Sequence, residues 1–349
     1  DLLANAAADL HESHAEIPHG LSCRLSVGLV RIANVRTAYR VAEHLRKDGR
    51  FLVTTYHAKD VLERRAYKEA YLDRILDRKA GSPWVSALIE ALPELAHRTE
   101  DSRLIVVATP VEEVGRDHDF IEPSSMQSIL QTAGRVNRHR LRPIPENQTN
   151  VVLLSRNFRD LKDPDKAAFV RPGHEKFDQS AGIRSHPTHD LHELMRPMGQ
   201  APESNALDVR AIFDPDNKTL FSACDENAIA MRIEKARKVI NREPGYGLHF
   251  LMKEYAEAFP LREKRRKISL LLDAKQRKAY FTGDRGEKKS IGMSVASPTQ
   301  EHVWLSPSLE DLLKKQEASD TLFHADVDEY DLKEFRVDWK GTISEKVVP

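Results

Sequence analysis

Leu104-Ile105-Val106-Val107-Ala108-Thr109-Pro110-Val111-Glu112-Glu113-Val114-Gly115-Arg116-Asp117-His118-Asp119 is the stretch on which the fold reading turns. Its first five residues form an unbroken apolar run rich in β-branched side chains, bounded by Arg103 and Thr109. Such a run suits a strand buried on both faces, as in a parallel sheet. A Thr at the carboxyl end of that strand, with Gly115 and Asp117 on the loop beyond, sits where open α/β sheets bind ligands. Taken alone, the stretch also fits a strand followed by an ordinary polar turn.

The flanking sequence has the same alternation. Val27–Ala33 reads as a strand, and Arg36–Arg46 follows with Ala38, Val41, Ala42 and Leu45 at helical spacing. Phe51–Thr54 reads as a second strand, followed by a charged helical stretch over Lys59–Lys79. Val85–Leu95 reads as a helix broken by Pro93, Ser125–Gln131 as a helix start, and Val151–Leu154 as a further buried strand. Strands alternating with helices define an α/β unit with a parallel sheet. We therefore place an α/β lobe at residues 1–155, which the helicase resemblance described below implies is RecA-like, and a mostly helical linker or accessory region at 156–260. The linker contains an amphipathic helix at Glu226–Asn241 and a second helix at Leu248–Phe259. A small α+β domain at 261–349 opens with a hairpin, Ile268–Asp273 and Ala279–Thr282, and ends in a strand at Phe335–Trp339.

Composition bounds the function classes. The 349 residues carry 54 Lys+Arg against 54 Asp+Glu, 40 % hydrophobic and 31 % charged residues. That is a globular chain with a charged surface, and its apolar runs fall far short of the ~20 residues of a spanning helix. We expect no membrane partner and a cytoplasmic location. Two cysteines, Cys23 and Cys224, make no disulfide framework. The first residue is Asp1 rather than Met, as expected of a piece of a longer protein. Zero net charge conceals polarity, for Arg262–Lys278 carries a net +6 and Asp320–Asp338 a net −5. Both read as solvated faces.

The most specific motif is Gln131-Thr132-Ala133-Gly134-Arg135-Val136-Asn137-Arg138. Two arginines three apart at a helical start project to one side, and Gly134 beside them allows close backbone approach. Guanidinium groups suit bidentate contact with phosphate oxygens. Supplied across a cleft, such an arginine stabilises charge on a transferring phosphoryl group. One Gly-Arg pair would fit an exposed, solubilising helix equally well. Both motifs in this order and spacing make that reading much weaker.

Together the two motifs resemble motifs V and VI of superfamily 2 helicases. Ala108-Thr109 through Glu113, Asp117 and Asp119, then Gln-x-x-Gly-Arg-Val-Asn-Arg, resembles the CRISPR-associated helicase-nucleases of type I interference systems. Val27–Asn34 and Tyr56-His57-Ala58-Lys59 are similar to the type I-F branch in particular. The resemblance covers residues 27–155 by motif and the remainder only by element order. It implies that Gln131, Gly134, Gly115 and Asp117 bind ATP, with Arg135 and Arg138 as fingers on its phosphates. It also implies that Thr109, Asn34 and His57 contact the backbone of single-stranded DNA, which is sequence-independent as a translocating motor requires. The implied cofactors are ATP and Mg²⁺, with Mg²⁺ ligands on a first lobe outside this chain and nuclease metals also outside it. The implied partners are that first lobe, the nuclease domain of the same protein, and the CRISPR RNA-guided surveillance complex. Alternatives are another superfamily 2 DNA or RNA helicase lobe, and a non-catalytic docking or DNA-gating module.

Several features are decoys. In Gly283–Ser290 (GDRGEKKS), Gly286 does not adjoin the Lys-Ser pair as a phosphate loop requires, and the stretch reads as part of a hairpin turn. No other phosphate loop is present, so this chain alone is expected to be inactive. His186, His189, Asp190 and His192 resemble a metal cluster, but their loop-like surroundings favour solvated histidines, and no metal is expected within the chain. Trp84, Trp304 and Trp339 read as core residues.

Overall fold

The computed structural model describes residues 2–57, 59–77, 82–109, 119–121, 126–134, 148–170, 175, 177–178, 183–184, 186, 188–195, 223–227, 229–231, 234, 267–273, 278–282, 288–291, 302–307, 311–312, 322–328, 335–337 and 343–345. The chain forms two compact units. One gathers residues 1–120, 135–152 and 265–349, and the other residues 121–134 and 153–264.

The first unit is built on a sheet of order β2-β3-β1-β4-β5. Its strands are β1 (Leu25–Arg31), β2 (Leu52–Tyr56), β3 (Ser102–Ala108), β4 (Asp119–Ile121) and β5 (Val151–Leu153). β3 lies between β1 and β2 and runs parallel to both, with Leu29 opposite Val106 and Val53 opposite Ile105. Six of its seven residues are buried, as an unbroken apolar run demands when both faces are covered. The parallel arrangement needs crossover helices. Helix α1 (Leu2–His14) precedes β1. Helix α2 (Val35–Asp48) links β1 to β2, and α3 (Leu62–Leu76) and α4 (Trp84–Ala91) lie between β2 and β3. α2 buries Ala38, Val41, Ala42 and Leu45, the stripe its spacing predicts. It stops at Gly49, whose φ of 77° is left-handed and whose N–H closes onto the Arg46 carbonyl at 3.1 Å. The helix broken at Pro93 is α4 followed by a 3₁₀ turn, Pro93–His97.

Several elements in this unit were not foreseen, among them α1, β4 and the strands at Lys288–Ile291, Leu322–Asp328 and Ile343–Glu345. α1 buries Ala4, Ala7, Leu10 and His11 on one stripe, with small residues where a stronger apolar signal would normally stand. The acidic run contains a strand, β11. The second sheet has order β10-β9-β8-β11, from β8 (Lys267–Asp273), β9 (Lys278–Thr282), β10 (Lys288–Ile291) and β11 (Leu322–Asp328). β8 and β9 are the expected hairpin; Lys288–Ser290 of the GDRGEKKS stretch, expected in a turn, belong instead to β10, which pairs antiparallel with β9. β8 and β11 are antiparallel, with Lys267 opposite Asp328, so the basic and acidic runs become neighbouring strands. β12 (Phe335–Val337), inside the expected late strand, pairs with β13 (Ile343–Glu345).

Between β10 and β11 in the chain, residues 302–307 return to the first sheet. Val303 bridges Val53 in parallel, and the Val53 N–H donates to the His302 carbonyl at 2.8 Å. Trp304 is 1 % exposed and its indole N–H donates to the Ile105 carbonyl at 3.0 Å. It packs in one core with Val27, Leu29, Tyr56, Leu104 and Val106. The flanking His302 and Leu305 have φ of 60° and 49°, left-handed conformations that non-glycine residues keep only where their surroundings impose them.

In the second unit, α5 (Met126–Ala133) falls where a helix was expected, α6 (Phe158–Lys162) and α7 (Leu191–Met195) are short, and β6 (Phe177–Asp178) pairs antiparallel with β7 (Ile183–Arg184). Residues 223–227, 229–231 and 234 are helical, within and just before the expected amphipathic helix. The rest of that helix and the whole of Leu248–Phe259 lie outside the described residues.

Candidate functional site

Three adjacent parallel strands end at one edge of the first sheet, and each delivers one expected DNA contact. Asn34 follows β1, His57 follows β2 and Thr109 follows β3. The carboxyl edge is where parallel sheets present ligand-binding loops. Two main-chain bonds lock it: Ile32 N–H to the Ala108 carbonyl at 2.8 Å, and Thr109 N–H to the Tyr56 carbonyl at 3.1 Å.

The three side chains are not equally accessible. Asn34 is exposed at the N-cap of α2, yet its side chain makes no capping bond, so its amide stays in solvent. The first turn of α2 carries no acid, so the positive end of the helix dipole is unopposed there. Thr109 is 4 % exposed. His57 is fully buried, its ring edge-on to Tyr39 with centroids 4.7 Å apart.

Of the residues expected to face ATP, Gln131 and Gly134 are described and lie in the second unit. Gln131 is exposed on α5. Gly134 closes the helix through its N–H to the Leu130 carbonyl at 2.8 Å, and a Cβ there would fall 2.9 Å from that oxygen. A side chain would force the turn to shift. Gly115, Asp117, Arg135 and Arg138 lie outside the described residues.

Beneath the strand ends lies a charge cluster that the sequence reading missed. Asp60, Arg64 and Lys68 are each 5 % exposed or less. Arg64 and Lys68 occupy the buried stripe of α3 with Leu72 and Ile75. The Lys68 ammonium donates to the Thr55 carbonyl at 2.7 Å and to the Asp60 carboxylate. Arg64 Nη1 lies 3.5 Å from Asp60 Oδ1, and its Nε donates to the Pro307 carbonyl at 3.2 Å. Asp60 also accepts from the Val61 N–H at 3.2 Å. Burial pushes the Asp60 carboxyl upward, but Lys68, Arg64 and His57 outweigh it and hold Asp60 below its ordinary range. Burial also lowers Lys68, more than Asp60 raises it. The spacing i, i+4, i+8 was the available signal, since it puts all three on one face.

The His/Asp cluster differs from expectation. His186 and His189 are buried, not solvated, although His192 is exposed. His189 lies between two carboxylates: Nδ1 is 3.1 Å from Asp160 Oδ1 and Nε2 is 2.8 Å from Glu175 Oε1. Glu175 also accepts from the Ala168 and Phe169 N–H groups, both at 2.8 Å. Burial lowers His189, but Glu175 and Asp160 overcome this and raise it above its ordinary value. Burial raises Glu175, but His189 and the Phe169 N–H overcome that and hold it low. His186 Nε2 lies 3.4 Å from Asp225 Oδ1. Burial, with Asp225 and Glu175 nearby, pushes the Cys224 thiol to about 11, too high for a nucleophile at neutral pH.

Among the described residues, His11, Glu12 and Asp101 are the one group spaced to hold a metal ion. Its carboxylates are already engaged: Arg24 reaches Glu12 at 3.0 Å and Asp101 at 3.2 Å, and Arg103 reaches Glu12 at 3.1 Å. A cation would have to displace two guanidinium groups. Among the described residues, no helix is long and apolar enough to cross a membrane.

Residues 24–141 match the family model described as CRISPR-associated nuclease/helicase Cas3, C-terminal. The chain is 37 % identical over 204 residues to the CRISPR-associated nuclease/helicase Cas3 subtype I-F/YPEST of Pseudomonas aeruginosa strain UCBPP-PA14, an alignment covering 54 % of this chain and 18 % of that protein. It is 37 % identical over 201 residues to the protein of the same description from Pectobacterium atrosepticum strain SCRI 1043, covering 54 % of this chain and 17 % of that one. The chain thus spans less than a fifth of either relative's length. A solved structure titled "Crystal structure of T. fusca Cas3-ATP" aligns at a TM-score of 0.42 and 14 % identity, covering 98 % of this chain and 38 % of that one. The three strand ends described above all fall within the matched stretch, and the chain is related to a C-terminal portion of the type I-F Cas3 proteins.

Proposed function

We propose that the chain is the C-terminal helicase portion of a cytoplasmic CRISPR type I-F nuclease/helicase. In this reading residues 1–155 are the second RecA-like lobe, 156–260 a mostly helical linker, and 261–349 a small α+β domain. The whole enzyme would couple ATP hydrolysis to translocation along single-stranded DNA and pass that strand to its nuclease domain. A CRISPR RNA-guided surveillance complex would recruit it. The observation that carries this reading is the placement of Asn34, His57 and Thr109 at the ends of three adjacent parallel strands, inside the stretch that matches the Cas3-like family.

Asn34 and the N-terminus of α2 would hold a DNA phosphate, which suits an exposed amide and an unopposed helix dipole. Thr109 would contact the backbone beside it. His57, being buried, would support the loop after β2 from beneath. Gln131, exposed at the end of α5, and Gly134, where the turn leaves no room for a Cβ, fit a nucleotide brought against them. Arg135 and Arg138 would offer guanidinium groups to its phosphates, while Gly115 and Asp117 would link that cleft to the DNA edge. Bound ATP supplies the free energy, with Mg²⁺ held by the first lobe and nuclease metals by the nuclease domain.

The test uses the full-length enzyme. Arg138→Ala is expected to lower DNA-stimulated ATP hydrolysis by about 10³-fold or more. Undiminished hydrolysis would remove the finger assignment. Stimulation by RNA instead of single-stranded DNA would favour a different superfamily 2 motor.

A further inference from the structure

Segment 302–307 and the Asp60–Arg64–Lys68 cluster are far apart in sequence, yet both hold the main chain of β2. Trp304 is anchored to β3 through the Ile105 carbonyl, and His302 is anchored to β2 through the Val53 N–H. Three residues beyond Trp304, the Pro307 carbonyl accepts from Arg64 Nε. Arg64 in turn faces Asp60, which holds Lys68, and Lys68 holds the Thr55 carbonyl at the end of β2. Trp304, Asp60, Arg64 and Lys68 are buried, and Pro307 and Thr55 are half-buried, so a displacement within the cluster has little solvent to absorb it. Arg64 Nη2 has no hydrogen-bond partner among the described residues, which leaves the fork held on one side by Pro307 and on the other by Asp60.

We propose that Arg64 is a positioning residue that transmits the seating of segment 302–307 to the loop leaving β2, and so to the DNA-facing edge of the lobe. The functional half rests on the reading given under Proposed function. The structural half does not. Arg64 touches neither DNA nor nucleotide in this scheme. It fixes where His57 and Asp60 stand, because the Asp60 N–H donates to the His57 carbonyl at 3.2 Å. A lysine at 64 would keep the charge facing Asp60 but lose the planar fork that reaches Pro307.

The test uses Arg64→Lys, Trp304→Phe and the double variant in the full-length enzyme. The ssDNA concentration for half-maximal ATPase is expected to rise roughly 5-fold or more in each single variant, the scale of couplings through packed networks. KM for ATP and kcat should stay within about twofold of the unmodified enzyme. The double variant should be no worse than the worse single, because both break the same chain. Independently, hydrogen exchange at the Asp60 and Val61 amides should speed up in Trp304→Phe. Wild-type behaviour of Arg64→Lys, multiplicative defects in the double variant, or an equal loss in kcat and ATP KM would each overturn the proposal. Unchanged Asp60 and Val61 exchange would overturn it as well. An unmodified enzyme without DNA-stimulated ATPase would instead sink the functional reading, and the exchange experiment would then decide the coupling alone.

Discussion

The two units each bury a charge network, and they solve the same desolvation problem with different chemistry. In the first, Asp60 is bound directly by a lysine and an arginine. In the second, Asp160 and Glu175 are bound by a histidine, whose ordinary value lies close to neutral pH. The two networks therefore differ in the cation that faces the buried carboxylates. The difference teaches that burial of charge by itself says nothing about pH sensitivity. The identity of the cation decides it.

The largest expected effect tests the first network. Asp60→Ala leaves Lys68 and Arg64 buried without their carboxylate, which typically costs about 3–5 kcal/mol. Urea unfolding monitored on the first unit at neutral pH should show it, and a loss below about 1 kcal/mol would break the contrast with an exposed pair. Next, His189→Gln removes a cation from between two buried carboxylates, at about 1.5–3 kcal/mol. It should register in the second unit alone.

The titration has a definite sign. The folded-state pKa of His189 is raised, so its contribution is complete below its ordinary 6.5 and is lost as pH rises through the raised value. Glu175 is lowered from 4.5, so its contribution is present above that value and lost as pH falls through the lowered one. The second unit should thus be firmest between about pH 4.5 and 6.5 and loosen above, and in His189→Gln that upper limb should flatten. Amide exchange at Ala168 and Phe169, which donate to Glu175, is the direct readout.

Two smaller effects calibrate the comparison. Gly49→Ala places a Cβ at φ 77° and should cost about 1 kcal/mol in thermal unfolding of the first unit. Lys47→Ala breaks an exposed i,i+4 pair with Glu43 and should cost no more than about 0.5 kcal/mol. The gap between Lys47→Ala and Asp60→Ala measures what burial adds to an ion pair.

These contrasts explain which parts of the molecule could be read from sequence. Leu104–Ala108 is legible because a buried parallel strand has no polar face to conceal it. Ala38, Val41, Ala42 and Leu45 are legible because their spacing is local. α1 was missed because its buried stripe is largely alanine, and β11 because its acids resemble a solvated run. Charge was taken to mean exposure, which hid Arg64 and Lys68 within a helix that was otherwise expected. His186 and His189 were taken for solvated loop residues because their partners lie far off: Asp160 is 29 positions from His189 and Glu175 is 14. At the candidate site, residue types at strand ends were readable, but the depth at which His57 sits was not, because that depth depends on tertiary neighbours such as Tyr39, whose ring meets it edge-on. No local pattern links Trp304 to Ile105, 199 positions away.

That long return has a consequence for solubility. β2 ends the order of the first sheet, and Val303 lies along its outer side. Without that cover the strand Leu52–Tyr56 would present free N–H and C=O groups beside an apolar face, a template on which a second molecule could pair. A chain cut short of residue 302 should therefore self-associate through β2 even where each remaining element still folds. A lysine introduced at Leu52 should suppress that association.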